Sequence, residues 1–485
     1  MKYIQKIRYL FTEKWAIHPI LFAIFFVLYG YNEMSDSVKI SELIYLLVGI
    51  SLVVTVITFF IPSNNKIRNS IFLSIILLLC LFTEHIFIAL QNSIFMAWLA
   101  KYRYFVPFVS ILFAIFYYFT RKKKLVQANL FLHIISIVYC GIEFYEIFAT
   151  LYVNNYPTKQ ETLQKNTLQA TTKQVCDTCP DIYLLLTDGY TNSKSLEKYW
   201  NFSNQAYIDS LQKLGFYHIK NAQSNYHRTL KSMSAILNMN YTKVGNIEQN
   251  RKAQKTAYLE IKNNEVCQKL AEKGYNFHNI SPFHIANTEA TIYYADNFML
   301  TNLTKFLLHK TIFKIPVANL LKYFENTEPQ KYKIDKPIAT LENIHRTPHK
   351  QPNFVYLHIL CPHFPYLFDK NGGQLAQNIQ KNPQLAYLEQ LQYVNKIIIK
   401  LLKNLQKNAT KPYIVVLTGD HGSREFDAEI GKQAESYTTS TFFYFPDQNY
   451  HILYDSMTSV NLFRAVLHKA IGTNLSYIPD KIINK

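Results

Sequence analysis

The sequence predicts a helical membrane domain of about five spanning helices followed by an α/β domain, and three observations carry that prediction. Long apolar runs fill most of the first 152 of the 485 residues. Beyond Pro180, short apolar runs such as "IYLLL", "NFVYLHIL" and "YIVVL" alternate with helical patterns. Two of these segments stop abruptly on acidic groups, in "LLTDG" and "LTGDHG".

A bilayer-spanning helix needs about 20 mostly apolar residues. Five stretches qualify: about 15–31 (WAIHPILFAIFFVLYGY), 40–61, 70–90, 104–120 and 128–152. The first resembles a signal peptide with Lys2, Lys6 and Arg8 as its basic region, but four further spans favour a retained helix. Basic residues then orient the set. With the N-terminus inside, the inner segments hold Lys2, Lys6, Arg8 and Lys14, then Lys66 and Arg68, then Arg121 and Lys122 to Lys124, while the outer loops hold only Lys39, Lys101 and Arg103. Five spans place everything after Tyr152 outside the cytoplasm. The chain is therefore expected to be a multi-pass protein of the cell (inner) membrane, its C-terminal domain on the extracytoplasmic, periplasmic side. Glu84, His85, Glu143 and Glu146 fall in the outer parts of their spans, either in interfacial water or holding a lipid head group.

The net charge of +18 divides as 13 Lys+Arg against 7 Asp+Glu up to Asn154 and 38 against 26 beyond it. Such a balance suits an anionic membrane surface or a phosphate-bearing substrate. Nucleic acid is not expected as a partner, because no recognition motif accompanies the charge.

Residues 153–180 (VNNYPTKQETLQKNTLQATTKQVCDTCP) lack apolar periodicity and read as a linker between a transmembrane domain at 1–152 and a second domain at 181–485. Cys176 and Cys179 form a lone Cys-x-x-Cys, which outside the cell reads as a local disulfide rather than a metal or redox motif. In the second domain, continuous apolar runs between helices indicate parallel strands covered on both faces. Ligands of such sheets bind beyond the carboxyl ends of the strands. Helices are expected near 194–214, from about Thr229, and near 374–407.

Asp188 ends one of these strands and Asp420–His421 ends another, so both project at one edge of the sheet. Two carboxylates and an imidazole suit zinc or manganese. Asp188-Gly189 also reads as ordinary turn chemistry. The third segment is "NYHRTLKSMSAILNM", in which Leu230, Met233, Ile236 and Leu237 recur at helical spacing. Thr229 at its start reads either as an N-cap, which local sequence favours, or as a nucleophile at a helix N-terminus that attracts phosphate.

These segments in this order, behind five spans, resemble the alkaline phosphatase/sulfatase superfamily, and within it the membrane-anchored phosphoethanolamine transferases and lipoteichoic acid synthases. The resemblance covers roughly 180–470 and implies an α/β sandwich of alkaline phosphatase-like/sulfatase type. It implies one divalent metal, Zn or Mn, held by Asp188, Thr229, Asp420 and His421, with Thr229 also the catalytic nucleophile. In "YLHILCPHFPYLFD" it makes His363 a second catalytic residue, one that contacts phosphate or protonates the leaving group. His358, Arg228 and Lys231 are assigned to substrate binding, His358 having a packed core position as its alternative and the two cations a solvated one. Ser423, Arg424 and Glu425 follow the Asp-His pair without an assigned role. Two departures stand out: Asp188 where the transferases carry Glu, and no Cys/Ser-x-Pro-x-Arg pattern around Thr229 of the kind ester sulfatases use. The implied activity is transfer of a phospho-group, of phosphoethanolamine or glycerol-phosphate type, from a membrane lipid donor to an envelope glycan or lipid acceptor through a phosphothreonine. The alternative is hydrolysis of sulfate or phosphate esters on envelope glycans or lipids, and a silent binding protein of the same fold is a third reading.

Overall fold

The computed structural model describes residues 16–34, 38, 40–60, 65–93, 95–155, 176, 178–245, 247, 251–286, 288, 290–291, 301–316, 329–426, 429 and 433–483. Packing divides the chain into two units, 1–159 with 294–326, and 160–293 with 327–485. The basic residues Lys2, Lys6, Arg8, Lys14 and Lys39, and most of the 153–180 linker, lie outside the described residues.

The first unit is helical: α1 (His18–Met34), α2 (Ile40–Phe59), α3 (Lys66–Leu81), α4 (Thr83–Gln91), α5 (Tyr102–Thr120) and α6 (Val126–Asn155). Among the described residues, α2, α5 and α6 are long and apolar enough to cross a membrane. A fourth span results if α3 and α4, bent by 66° at Phe82, count as one. Helix α1 has 17 described residues, short of the roughly 20 a span requires. Its face is well covered, with Phe22, Phe26, Val27 and Leu28 all buried. The bend is hydrogen-bonded locally, the Thr83 hydroxyl donating to the Leu79 carbonyl at 2.7 Å.

The segment 294–326, distant in sequence, packs with these helices. Its helix α12 (Asn302–Lys310) buries Leu303 and Leu307 in the same apolar cluster as Phe26 and Tyr31. Beyond it, the Ile312 N–H donates to the Cys80 carbonyl at 2.8 Å, beside the bend. Lys314 reaches Glu84 at 3.0 Å. His85 is hydrogen-bonded to Tyr29 (2.9 Å), and Asn32 donates to the buried Glu143 carboxylate (2.5 Å). Glu84, His85 and Glu143, considered for a lipid head group, thus have protein partners.

The second unit is a six-stranded sheet clothed by helices. Its elements are β1 (Asp181–Thr187), α7 (Ser193–Trp200), α8 (Gln205–Lys213), β2 (Tyr217–Ile219), α9 (Thr229–Asn238), α10 (Arg251–Lys262), α11 (Glu265–Glu272), β3 (Asn276–Ile280), α13 (Pro329–Arg346), β4 (Asn353–Ile359), α14 (Pro383–Asn408), β5 (Tyr413–Gly419), β6 (Thr441–Tyr444) and α15 (Leu462–Ile471). The strand order is β2-β6-β5-β1-β4-β3. β3, β4, β1 and β5 run parallel, while β6 is antiparallel to both β5 and β2.

Every residue of β1, β4 and β5 is buried, the physical reason their central residues are apolar, with His358 near the end of β4 as the exception. Side chains alternate across the sheet. Tyr183, Leu185, Val355, Leu357, Val415 and Leu417 join α7, α8, α13 and α14 on one face. Ile182, Leu184, Leu186, Phe354, Ile414 and Val416 join α9, α10, α11 and α15 on the other. Each such aliphatic side chain contributes about 1.5–3 kcal/mol on burial. A local disulfide joins Cys176 and Cys179 just before β1.

The helical pattern expected near 194–214 resolves into two helices. Asn201 at the end of α7 adopts the left-handed conformation (φ 49°) and closes the helix, which asparagine tolerates better than most residues. Near 374–407 the long helix begins later, where Asn382 caps α14 by accepting the Gln384 and Leu385 N–H groups and Pro383 takes its first position.

On the antiparallel edge, His218 of β2 lies opposite Phe442 of β6 and stacks on its ring at 4.5 Å. Its Nε2 is buried without a hydrogen-bond partner. Burial lowers its pKa from 6.5 to about 4. The unfolded chain thus binds a proton below about pH 6.5 that the folded strand refuses until about pH 4. Stability should fall by up to about 3 kcal/mol on this account as the pH drops through that window. Thermal unfolding of wild type and His218→Phe across the window is expected to show a smaller decline for the variant. Parallel curves would contradict it.

Candidate metal centre and active site

Three segments meet beyond the carboxyl end of the parallel strands. β1 is held between β4 and β5, so Asp188, one residue past it, lies beside the chain that leaves β5 as Asp420–His421. The Asp188 N–H donates to the Ile359 carbonyl (2.9 Å), carrying the β1–β4 pairing one step beyond the strand. The Asp188 carbonyl accepts from the His363 N–H (3.0 Å), which fixes the loop after β4 against the same point. Gly189, at φ +70°, turns the chain there, and its N–H donates to Asp420 Oδ1 at 3.0 Å.

Asp188, Asp420 and His421 are all buried, and each offers a ligand atom within 4.8 Å of the others. His421 Nε2 is 3.3 Å from Asp420 Oδ2 and 3.8 Å from Asp188 Oδ1. His421 Nδ1–H donates to the Gly422 carbonyl at 2.7 Å, so Nε2 presents a lone pair to the cluster. Asp188 Oδ1, Asp420 Oδ2 and His358 Nε2 are buried polar atoms without hydrogen-bond partners. Uncompensated carboxylate oxygens at this depth carry a large desolvation cost, which a cation among them removes. The donor set fits a divalent metal such as zinc or manganese. Burial works to raise the Asp188 carboxyl, and it falls below the usual carboxylate range only through positive charge on the neighbouring His363, His358 and His421 rings.

Thr229 is brought to this cluster by α9. The N-cap is Arg228, with extended backbone and no side-chain capping bond, and Thr229 is the first helical residue. The capping role favoured by local sequence therefore falls on its neighbour. With the Nε2 lone pair facing it, the Thr229 hydroxyl donates to His421 at 3.2 Å. Ser232, three residues on, accounts for the serine in this segment. Its hydroxyl donates to the Tyr226 carbonyl (2.8 Å) and meets Ser224 Oγ (3.0 Å), tying the helix to the loop before it.

The other expected residues divide. His363 lies at the site, its ring 6.2 Å from that of His421. His358 is fully buried behind Asp188, with Nε2 3.6 Å from Asp188 Oδ2 and Nδ1 2.9 Å from the Tyr356 hydroxyl. It faces the acid and not solvent. Lys231 is also buried, its ammonium 5.8 Å from the Tyr226 ring, and Arg228 is half-buried at the cap.

Several residues at the site had no assigned role. The Arg424 guanidinium contacts His363 Nε2. Gln390 of α14, fully buried, holds the His363 loop by donating to the Pro362 and His363 carbonyls (3.2 and 3.0 Å) and accepting the Leu367 N–H (2.9 Å). A glutamine on the apolar face made by Ala386, Tyr387, Leu391 and Val394 was the available signal. Behind His421, Thr191 accepts the Ser423 N–H (2.7 Å) and donates to Glu435 (3.2 Å), which Trp200 also meets through its indole N–H.

The sequence profile of the family described as Sulfatase matches residues 180–473. The chain belongs to the sulfatase family. With it comes membership of the alkaline phosphatase superfamily of enzymes, as the strand-end motifs led one to expect. Similar solved structures include the C-terminal periplasmic domain of EcEptC from Escherichia coli (14% identity, 62% of this chain and 83% of that one, TM-score 0.39). Another is the soluble domain of lipooligosaccharide phosphoethanolamine transferase A from Neisseria meningitidis (10%, 60% and 87%, TM-score 0.38). A third is a protein from a glycosaminoglycan-metabolism locus of Bacteroides thetaiotaomicron (13%, 61% and 73%, TM-score 0.39). Comparison with curated protein sequences found no match. The family assignment rests on the profile match.

The glycine after Asp420–His421 has a steric reason here. A Cβ on Gly422 would lie 2.1 Å from the Glu435 carbonyl oxygen and 2.6 Å from that of Thr438, both backbone atoms. Gly422→Ala should therefore displace His421 and cost about 1–3 kcal/mol of stability. Thermal unfolding together with zinc titration is expected to show a lower midpoint and weaker zinc binding. A variant matching wild type in both would contradict this close packing.

Proposed function

We propose that this sulfatase-family enzyme transfers a phospho-group, of phosphoethanolamine or glycerol-phosphate type, from a membrane lipid to an envelope glycan or lipid, with Thr229 as nucleophile. The observation that carries the reading is the Thr229 hydroxyl at the start of α9, 3.2 Å from His421 Nε2 and beside the buried Asp188–Asp420 pair. Asp188, Asp420, His421 and the Thr229 hydroxyl would hold one divalent cation, zinc or manganese. Such a cation supplies positive charge toward the phosphoryl oxygens and lowers the proton affinity of the threonine hydroxyl.

Thr229 Oγ forms the new bond to phosphorus as the bond to the lipid oxygen breaks, and the lipid alcohol leaves. The threonine loses one proton and the alcohol gains one, so a single carrier balances the step. His363 is the group suited to that role. In the resting arrangement its Nδ1–H donates to the Phe364 carbonyl at 2.6 Å, so the lone pair sits on Nε2, where the Arg424 guanidinium donates, and it can receive a proton once that contact is released. An acceptor hydroxyl then displaces threonine from phosphorus. Arg228 and Lys231, at the N-terminal turn of α9, add positive charge around the transferred group. His358 acts from behind, on Asp188.

In this reading residues 1–152 form five spans with the basic ends inside, and the 181–485 domain works on the periplasmic face of the inner membrane. The anchor raises the local concentration of a lipid substrate. Hydrolysis is the second reading, favoured by the family description itself, with water in place of the acceptor. Against a sulfate ester stands the sequence after the nucleophile, Leu230-Lys231-Ser232-Met233, which has Lys231 and Met233 where ester sulfatases have Pro and Arg.

Intact mass spectrometry of the full chain incubated with phosphatidylethanolamine or phosphatidylglycerol tests the assignment. Wild type is expected to gain the mass of one head-group phosphate and Thr229→Ala none. Equal adducts on both proteins would reject Thr229.

A further inference from the structure

The pairing of Arg424 with His363 is chemically unusual. A guanidinium has no lone pair to offer and keeps its protons throughout the accessible pH range, so it can only donate. His363 Nε2 must therefore accept, consistent with Nδ1–H donating to the Phe364 carbonyl. Among the described residues, no carboxylate lies within ion-pair distance of Arg424. The neighbouring acid, Glu425, is engaged by the Tyr366 hydroxyl instead. Arg424 is half-buried, and its backbone is the third residue after His421, on the loop that Thr191 holds through Ser423. A permanent cation thus stands one imidazole away from the Thr229–His421 pair, with an accepting ring nitrogen as its partner and no counter-charge among the described residues.

From this geometry we infer that Arg424 is the substrate's oxyanion clamp: it leaves His363 and donates its N–H pair to non-bridging oxygens of a tetrahedral phosphoryl or sulfuryl ester. The inference deepens the functional reading above and rests on it for the location of the ester. Its physical basis is the preference of a planar guanidinium for two charged oxygens over one neutral nitrogen, since the bidentate pair gives two parallel bonds between opposite charges in place of one bond to an uncharged acceptor. The surrounding loops suit this exchange. Gln390 holds the His363 backbone and Thr191 holds that of Ser423, so Arg424 can change partner by side-chain rotation alone.

The test is tungstate binding to zinc-loaded full-length protein in detergent, followed calorimetrically for wild type, Arg424→Gln, Arg424→Lys and His363→Ala. Zinc stoichiometry and thermal midpoint serve as folding controls. Arg424→Gln should bind tungstate at least about tenfold more weakly, and Arg424→Lys should fall between it and wild type. His363→Ala should bind at least as tightly as wild type, because the guanidinium has lost its competing partner. A purely structural Arg424, acting by bracing His363, predicts equal weakening in Arg424→Gln and His363→Ala, and that result overturns the assignment. So does an Arg424→Gln variant that binds like wild type, or a wild type that binds no tungstate. Displacement of tungstate by bis(para-nitrophenyl) phosphate, or by para-nitrophenyl sulfate, supports the clamp and identifies the ester, whereas displacement by neither overturns it. None of these readouts needs a covalent intermediate, so a failed Thr229 adduct and a failed clamp are distinguishable.

Discussion

Two carboxylates buried side by side at the end of a fully covered sheet cannot both stay ionised without positive charge between or around them. That constraint organises the second unit. Asp188 and Asp420 leave adjacent parallel strands, so the sheet itself enforces their proximity, and neither can turn to water. Three imidazoles surround Asp188, and a helix brings a threonine hydroxyl to the remaining side. Each feature would be costly alone. Together they describe a place for a cation beside a hydroxyl group.

The protein contributes geometry that the ligand residues do not explain by themselves. His421 is fixed in one tautomer by its own neighbouring carbonyl, and its loop is pressed so closely against the Glu435–Thr438 backbone that Gly422 has no room for a side chain. The His363 loop is held from below by a single buried glutamine of α14. Loops that carry chemistry are thereby as firmly positioned as the strands that feed them, which is what preorganised transition-state stabilisation requires.

Much of this was legible in the amino-acid order. Strands buried on both faces must be apolar throughout, so β1, β4 and β5 stand out, and a charged or imidazole group at such a strand's end marks the functional edge. Thr229 was visible as the start of a helix, although its role as first helical residue, with Arg228 at the cap, depended on backbone geometry. Other features left no local trace. β2 and β6 are only three and four residues long, and their pairing is a tertiary event. The 294–326 segment has no long apolar run, yet α12 buries Leu303 and Leu307 among the helices of the first unit. The partnership of Arg424 with His363 joins two loops 61 positions apart and follows from the fold of both.

The central claim is that Asp188, Thr229, Asp420 and His421 enclose one divalent cation. Anomalous scattering at the zinc edge from crystals of the zinc-loaded protein measures this directly. The account predicts a peak about 2.0–2.2 Å from an oxygen of each carboxylate, from the Thr229 hydroxyl and from His421 Nε2. A zinc peak elsewhere in the domain, or one with Asp188 beyond ligand distance, would contradict it.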